Sequence, residues 1–284
     1  MREIRERARR YQARAEEMRG SHGSVDVLYV IADRDSEIGG GLMAGALAYR
    51  IFIWMLPFAL VLIGGIGVAA SVSESPSAAV RSLGMTGIVA SSVAEASRES
   101  SRWYALIIGI PVLAYATRSL LKALIVVHRL VWGDLRRTVP KPSIAATMRL
   151  LALLVSYFLV KELARWAGIW SGSVALRVLA GMLLATGFWL LVSLGLPHHQ
   201  SRVYDLLPGA LAVGVGLELI TDLGTYVIAP RVESSQSTYG ALGLAATLLL
   251  GLYLVSRLVV ASAVINAAVW DHRVQGRALP ERVP

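Results

Sequence analysis

Eight ionisable side chains fall inside stretches that are otherwise hydrocarbon-like: Arg50, Arg118, Lys122, Arg149, Arg177, Arg257, Glu218 and Asp222. A charge at the centre of a bilayer-spanning helix costs about 2.5–3.5 kcal/mol on insertion scales, so each one needs a reason. Arg149, Arg177 and Lys122 sit near predicted span ends, where a long apolar stem lets the charge reach the headgroups. Arg50, Arg118 and Arg257 are placed about 12–15 Å from one membrane edge by the 1.5 Å helical rise, and Glu218 about 16 Å. Glu218 and Asp222 are i,i+4 neighbours, and their face continues back through Gly214 and Ala210. Such small residues admit a second helix, so the two acids are expected to face the bundle. Ala114, Arg118 and Lys122 make a similar stripe. Two readings follow. In one, buried ion pairs, such as Glu218 with Arg118 or Arg257, fix the packing. In the other, Arg50, Arg118, Arg257, Lys122, Glu218 and Asp222 line a polar chamber that accepts an anionic group. Three deep cations against one or two acids leave a positive surplus that pairing alone does not remove.

Other chemistry finds little support. The histidines His22, His128, His198, His199 and His272 read as loop or span-end residues, and there is no cysteine. No H-E-x-x-H, G-x-S-x-G or Walker A sequence occurs. Ser171-Gly172-Ser173 has no histidine at membrane depth to activate it, and the adjacent pair His198-His199 reads as solvated. No catalytic residue, metal site or cofactor is expected, and enzymatic activity is not expected. A nucleotide-hydrolysing domain does not fit in the remaining chain.

The elements that must position these charges are membrane spans. Of 284 residues, 55% are hydrophobic and 17% charged, against about 25% charged in a soluble domain. The apolar residues form long blocks, placing spans at about 42–69, 104–127, 144–160, 174–196, 207–228 and 240–266. Pro57 and Pro111 fall inside the first two, where neighbouring helices satisfy the freed carbonyls. No cleavable leader is expected, because the first apolar block follows a long charged stretch. Residues 1–38 read as a cytoplasmic amphipathic region, 39–270 as the six-span domain and 271–284 as a cytoplasmic tail. Within the first region, Met1, Ile4, Ala8, Tyr11, Ala15 and Met18 share one helical face, with arginines and glutamates around it. Such a helix suits an anionic membrane surface or plain solvent equally. Val25–Ala32 reads as an interfacial run closed by Asp33-Arg34-Asp35.

Of the 28 Lys and Arg residues, 16 fall on the side of the termini and 6 on the other, which places both termini in the cytoplasm. Trp103, Trp132, Trp166, Trp170 and Trp270 all fall at span ends, as an aromatic belt requires. This rule accounts for the net charge of +9 without invoking nucleic acid.

Leu47-Ala48-Tyr49 with Leu56-Pro57 resembles the opening span of the YihY/BrkB family of inner-membrane proteins. Ala114 to Arg118 and Leu130-Val131-Trp132-Gly133 are similar to its second helix. Leu207-Pro208-Gly209-Ala210 with Glu218 is similar to its fifth. Ser237 to Gly243, Leu252-Tyr253-Leu254 and Ile265-Asn266-Ala267 complete the likeness, in order, over about residues 30–272. Val264 departs from it, standing where many members carry Glu or Gln, and Arg50 stands where an aromatic is common. The resemblance implies a six-helix, multi-pass inner-membrane protein supporting envelope integrity. An old family label, ribonuclease BN, gains nothing here, because the His/Asp clusters of a metal-dependent nuclease are missing.

The expectation is therefore an all-α polytopic membrane protein that transports or flips an anionic lipid, glycolipid or similar amphiphile. Arg50, Arg118 and Arg257 would draw the headgroup, while Glu218 and Asp222 hold the cations or relay protons. The alternative is a scaffold whose basic N-terminal helix recruits partners. Oligomeric state, substrate and direction are not legible in the residues.

Overall fold

The computed structural model describes residues 23–71, 99–134, 141–166, 173–198, 201–223 and 229–275. Among them are seven helices and no strand: α1 (Gly23–Glu37), α2 (Gly40–Ser71), α3 (Glu99–Val131), α4 (Ile144–Trp166), α5 (Val174–Leu194), α6 (Val203–Leu223) and α7 (Ala229–Gln275). Each of α2 to α7 contains a stretch long and apolar enough to cross a bilayer. Where water is absent, a helix satisfies its backbone internally, which is why these blocks take this form and no other. The expected helix at 1–19 and most of the expected tail lie outside the described residues.

The six long helices close into a ring. α2 packs on α3 and on α7, and α4, α5 and α6 complete the circuit between them. α7 also reaches α3, and α1 lies along α7 with a smaller contact to α2. Leu47, Trp54 and Phe58 of α2, Leu113, Leu120 and Leu124 of α3, Trp189 of α5, Val213 of α6 and Val259 of α7 share one core. Its two indoles are satisfied by buried hydroxyls. Trp54 Nε1–H donates to Thr117 Oγ1 at 2.9 Å, and Trp189 Nε1–H donates to Ser262 Oγ at 2.8 Å. Each hydroxyl in turn donates to a carbonyl of its own helix, Leu113 and Val259 respectively. A buried Trp needs such a partner.

Glycine sets the closest crossings. A Cβ on Gly209 would collide with the Ser262 carbonyl oxygen of α7, and one on Gly214 with Thr186 Oγ1 of α5. Between α2 and α3, a Cβ on Gly109 would lie 2.9 Å from Val61 Cγ2. The Gly209 N–H donates to Asn266 Oδ1 at 2.7 Å, so the crossing is fixed by a hydrogen bond as well as by shape. Leu207-Pro208-Gly209-Ala210 and Ile265-Asn266-Ala267, distant in sequence, are thus two halves of one contact.

Several boundaries differ from those read in the sequence. α6 begins at Val203 rather than 207, because Tyr204 and Asp205 belong to its first turn. There the Asp205 carboxylate accepts from the Arg202 N–H at 2.7 Å, the arrangement of a helix cap. α4 runs on to Trp166, and α7 extends through position 270 to Gln275. Val25–Ala32 is not a separate interfacial run but part of α1, whose Ile31 packs into the bundle with Ile38 beyond its end. An apolar window finds the hydrocarbon part of a helix and misses its polar ends.

Gly209→Ala is expected to lower stability by about 1–3 kcal/mol, the usual cost of overpacking. Thermal unfolding in detergent measures it. Gly187→Ala, where a Cβ would meet nothing within 4 Å, is expected to leave the midpoint unchanged or raise it.

Candidate functional site

The deep charges do not converge on one chamber. Arg50, Arg118 and Lys122 are exposed on the outer side of the ring. They share that side with Tyr49 (60% exposed) of α2 and Tyr115 (76%) of α3. The Arg50 guanidinium donates to Ser119 Oγ at 2.6 Å, which seats it in the α2–α3 seam, one residue from Arg118. Lys122 follows Arg118 one helical turn on, about 6 Å away at the Cβ atoms.

Arg149, read from the sequence as a snorkelling end residue, joins the same face. It is exposed near the start of α4 and borders a cavity of about 30 Å³, room for roughly one water, at the junction of α3 (Leu121), α4 (Leu150, Leu153) and α5 (Leu191, Val192). Leu121 precedes the exposed Lys122, so Arg149 extends the belt of exposed cations on α2 and α3 onto the neighbouring α4. The α2–α3 pairing that sets Arg50 on Ser119 and Trp54 on Thr117 puts them at similar height. Only the contact across α3 and α4 could reveal Arg149 as a member, and no periodicity within one helix carries that information.

Arg257 stands apart from this belt. Its Nη1 donates to Asp35 Oδ1 at 2.6 Å and its Nη2 to Oδ2, a bidentate fork. The expected partner, Glu218, is not the one it has. Arg34, the residue before Asp35, pairs with Asp271, so α1 grips α7 at two points about four turns apart. The turn into α2 makes this grip feasible. Gly39 takes φ +63°, and a Cβ on Gly40 would collide with the Asp35 carboxylate. The aspartates of the run read only as closing an interfacial segment thus supply a counter-ion to an intramembrane arginine.

Two further pairs lie at helix ends. Arg129 donates to Asp134 at 2.9 Å after the turn at Gly133 (φ +72°). Arg273 donates to Asp205 at 2.7 Å, and its guanidinium sits 4.4 Å from the Tyr204 ring centroid. His128, read as a span-end residue, lies in the last turn of α3 and is buried there, with Nδ1 3.0 Å from the Leu124 carbonyl.

Glu218 faces the bundle, against α5 and near Tyr157 of α4, and Asp222 one turn on is half-buried. The Glu218 carboxylate lies against Gly181 of α5, where a Cβ would collide with it. Ala210 is fully buried and Gly214 meets α5, so the small-residue stripe serves the close approach expected of it. With α6 starting at Val203, Glu218 lies about 22 Å from that end, further along than the sequence placed it. α6 packs on α5 and α7, whereas the belt lies on α2, α3 and α4. Among the described residues no three of His, Asp and Glu are grouped as metal ligands would be.

Residues 31–284 match the family model described as Virulence factor BrkB. The chain belongs to the BrkB family. With six bilayer-length apolar helices, this BrkB-family chain is a multi-pass membrane protein. Compared with curated proteins and with solved structures, it matches none.

Asp35→Asn removes the charged partner of Arg257 and is expected to cost about 1.5–3 kcal/mol, the range for hydrogen bonds to charged groups. The exchange of both residues, Asp35→Arg with Arg257→Asp, is expected to recover at least half of that loss. Unfolding midpoints of the purified variants decide it, and a double variant no better than the single would break the assignment.

Proposed function

We propose that this protein carries an anionic amphiphile across the inner membrane, the headgroup travelling along the cationic belt of Arg50, Arg118, Lys122 and Arg149. The observation that carries the reading is where the belt lies. Four cations face outward from the bundle, on helices whose neighbouring surface is Tyr49, Tyr115, Ile107 and Ile108, all exposed. Left facing lipid alone, each would cost about 2.5–3.5 kcal/mol at the helix centre. A phosphate-bearing headgroup that dips into this seam while its acyl chains stay in the bilayer offsets that cost with charge-assisted hydrogen bonds. A second copy of the chain docked on this face would set like charges against each other, which favours lipid over self-association as the partner.

The reading requires no chemical step and no cofactor. It places both termini in the cytoplasm and ties the protein's physiological role to the envelope. Because the chain contains no cysteine, introduced thiols report sidedness without background. Lys141→Cys is expected to react with an impermeant maleimide only from the cytoplasmic side, and Ser173→Cys only from the opposite side.

Transport itself is tested in proteoliposomes carrying a fluorescent phosphatidylglycerol, with dithionite quenching to follow its movement between leaflets. Arg118→Glu with Lys122→Glu is expected to slow movement at least tenfold while circular dichroism and elution volume stay as in the parent. Unchanged movement in a folded double variant would sink the proposal and leave the scaffold reading.

A further inference from the structure

Charge balance on the belt points to the class of headgroup it takes. Elsewhere in the described bundle, arginines meet carboxylates: Arg34 with Asp271, Arg129 with Asp134, Arg257 with Asp35 and Arg273 with Asp205. The belt differs in sequence as well as in structure. No Asp or Glu occurs in residues 40–71 of α2, 103–131 of α3 or 144–161 of α4. Glu218 and Asp222 lie on α6, whose neighbours are α5 and α7. Among the described residues, then, no carboxylate pairs with the four exposed cations Arg50, Arg118, Lys122 and Arg149.

A headgroup with one negative charge would leave most of that surplus in place. The cations are also spread over two seams. Arg50 sits on Ser119 between α2 and α3, and Arg149 borders the cavity where α4 meets Leu121 of α3 and Leu191 of α5. Arg118 and Lys122 lie between them on the exposed face of α3. The two seams flank a single helix, so their centres lie about 10 Å apart. One phosphate group does not reach both.

We infer that the preferred ligand of the belt is an amphiphile bearing two separate anionic groups of the phosphate type, one held at the Arg50–Arg118 seam and the other at Lys122–Arg149. The inference rests on the proposed function above and narrows its substrate class. It assigns Arg149 as a specificity residue: with it the second anionic group has a partner, and without it the advantage of a doubly charged headgroup over a singly charged one is lost.

The test uses the full-length protein in nanodiscs of phosphatidylcholine with one added lipid. The arms are 10% cardiolipin, which bears two phosphodiesters, 20% phosphatidylglycerol at the same total charge, and 10% phosphatidic acid, which bears its charge on one phosphate. Lipid retained on the protein is counted by native mass spectrometry, and movement of labelled analogues is followed in matching proteoliposomes. The expected result is at least tenfold greater retention of cardiolipin than of phosphatidylglycerol. Arg149→Gln is expected to cut that preference below threefold, whereas Arg177→Gln on α5, outside the belt, is expected to leave both the preference and phosphatidylglycerol movement within twofold of the parent. Equal retention of cardiolipin and phosphatidylglycerol, with both still moved, overturns the inference and leaves the proposed function intact. Phosphatidic acid matching cardiolipin overturns the two-centre geometry. Neither anionic lipid retained or moved by folded parent protein overturns the proposed function itself. Should Arg149→Gln fail to fold, Arg149→Lys, which keeps the charge and loses the fork, is expected to retain a reduced preference.

Discussion

Hydrocarbon offers no hydrogen-bond partners, and nearly every feature of this molecule answers to that fact. The backbone closes on itself as helices, and the polar side chains that remain must find one another. Lipid tails are as apolar as the side chains they would replace, so the helices gain little by hiding leucine from them. They associate by approaching closely. Gly209 and Gly214 let α6 lie close against α7 and α5, on the Ser262 carbonyl and the Thr186 hydroxyl, and the Gly209 N–H donates to Asn266. Trp54 and Trp189 show the same rule in the aromatic residues, each indole N–H matched to a hydroxyl that is itself matched to a carbonyl.

Charge is distributed unevenly on this scaffold. Where α1 folds back along α7, arginine and aspartate alternate between the two helices and cancel. On the outer side of α2, α3 and α4, the cations have no carboxylate partner among the described residues. That asymmetry is not a packing requirement, because the core shared by those helices is filled by Leu47, Trp54, Leu113, Leu120 and Leu150 without help from any charged group. Stability would be served as well by leucine at positions 50, 118 and 122. The proposed lipid-headgroup reading gives these exposed cations a role that packing does not.

The six helices were legible in the sequence because hydrophobic length is a one-dimensional property. So was the inward face of α6, since Ala210, Gly214, Glu218 and Asp222 repeat every four residues. The likeness of the Pro208-Gly209 and Asn266 motifs to those of one family was visible too, although not that they touch. What stayed hidden is three-dimensional pairing. Arg257 and Asp35 are separated by most of the chain, and Asp35 sits in a charged run that reads as an ordinary helix end. Arg149 reads as harmless at its depth, and only its position beside Leu121 on a neighbouring helix joins it to Lys122. The start of α6 was misplaced because Tyr204 and Asp205 interrupt the apolar run while completing the first turn of the helix.

α7 has a property that none of its partners shares. At 47 residues it is about 70 Å long, more than twice the thickness of a bilayer core of about 30 Å. It is also the one helix that touches α1, α2, α3 and α6. From its crossing with Gly209 of α6 at Ser262, the longer arm runs about 50 Å to Ala229, so a tilt of about 10° there would move that end by about 9 Å. The two ion pairs to α1 straddle that crossing, Arg257 on the long arm and Asp271 on the short one, so α1 braces α7 on both sides of its contact with α6.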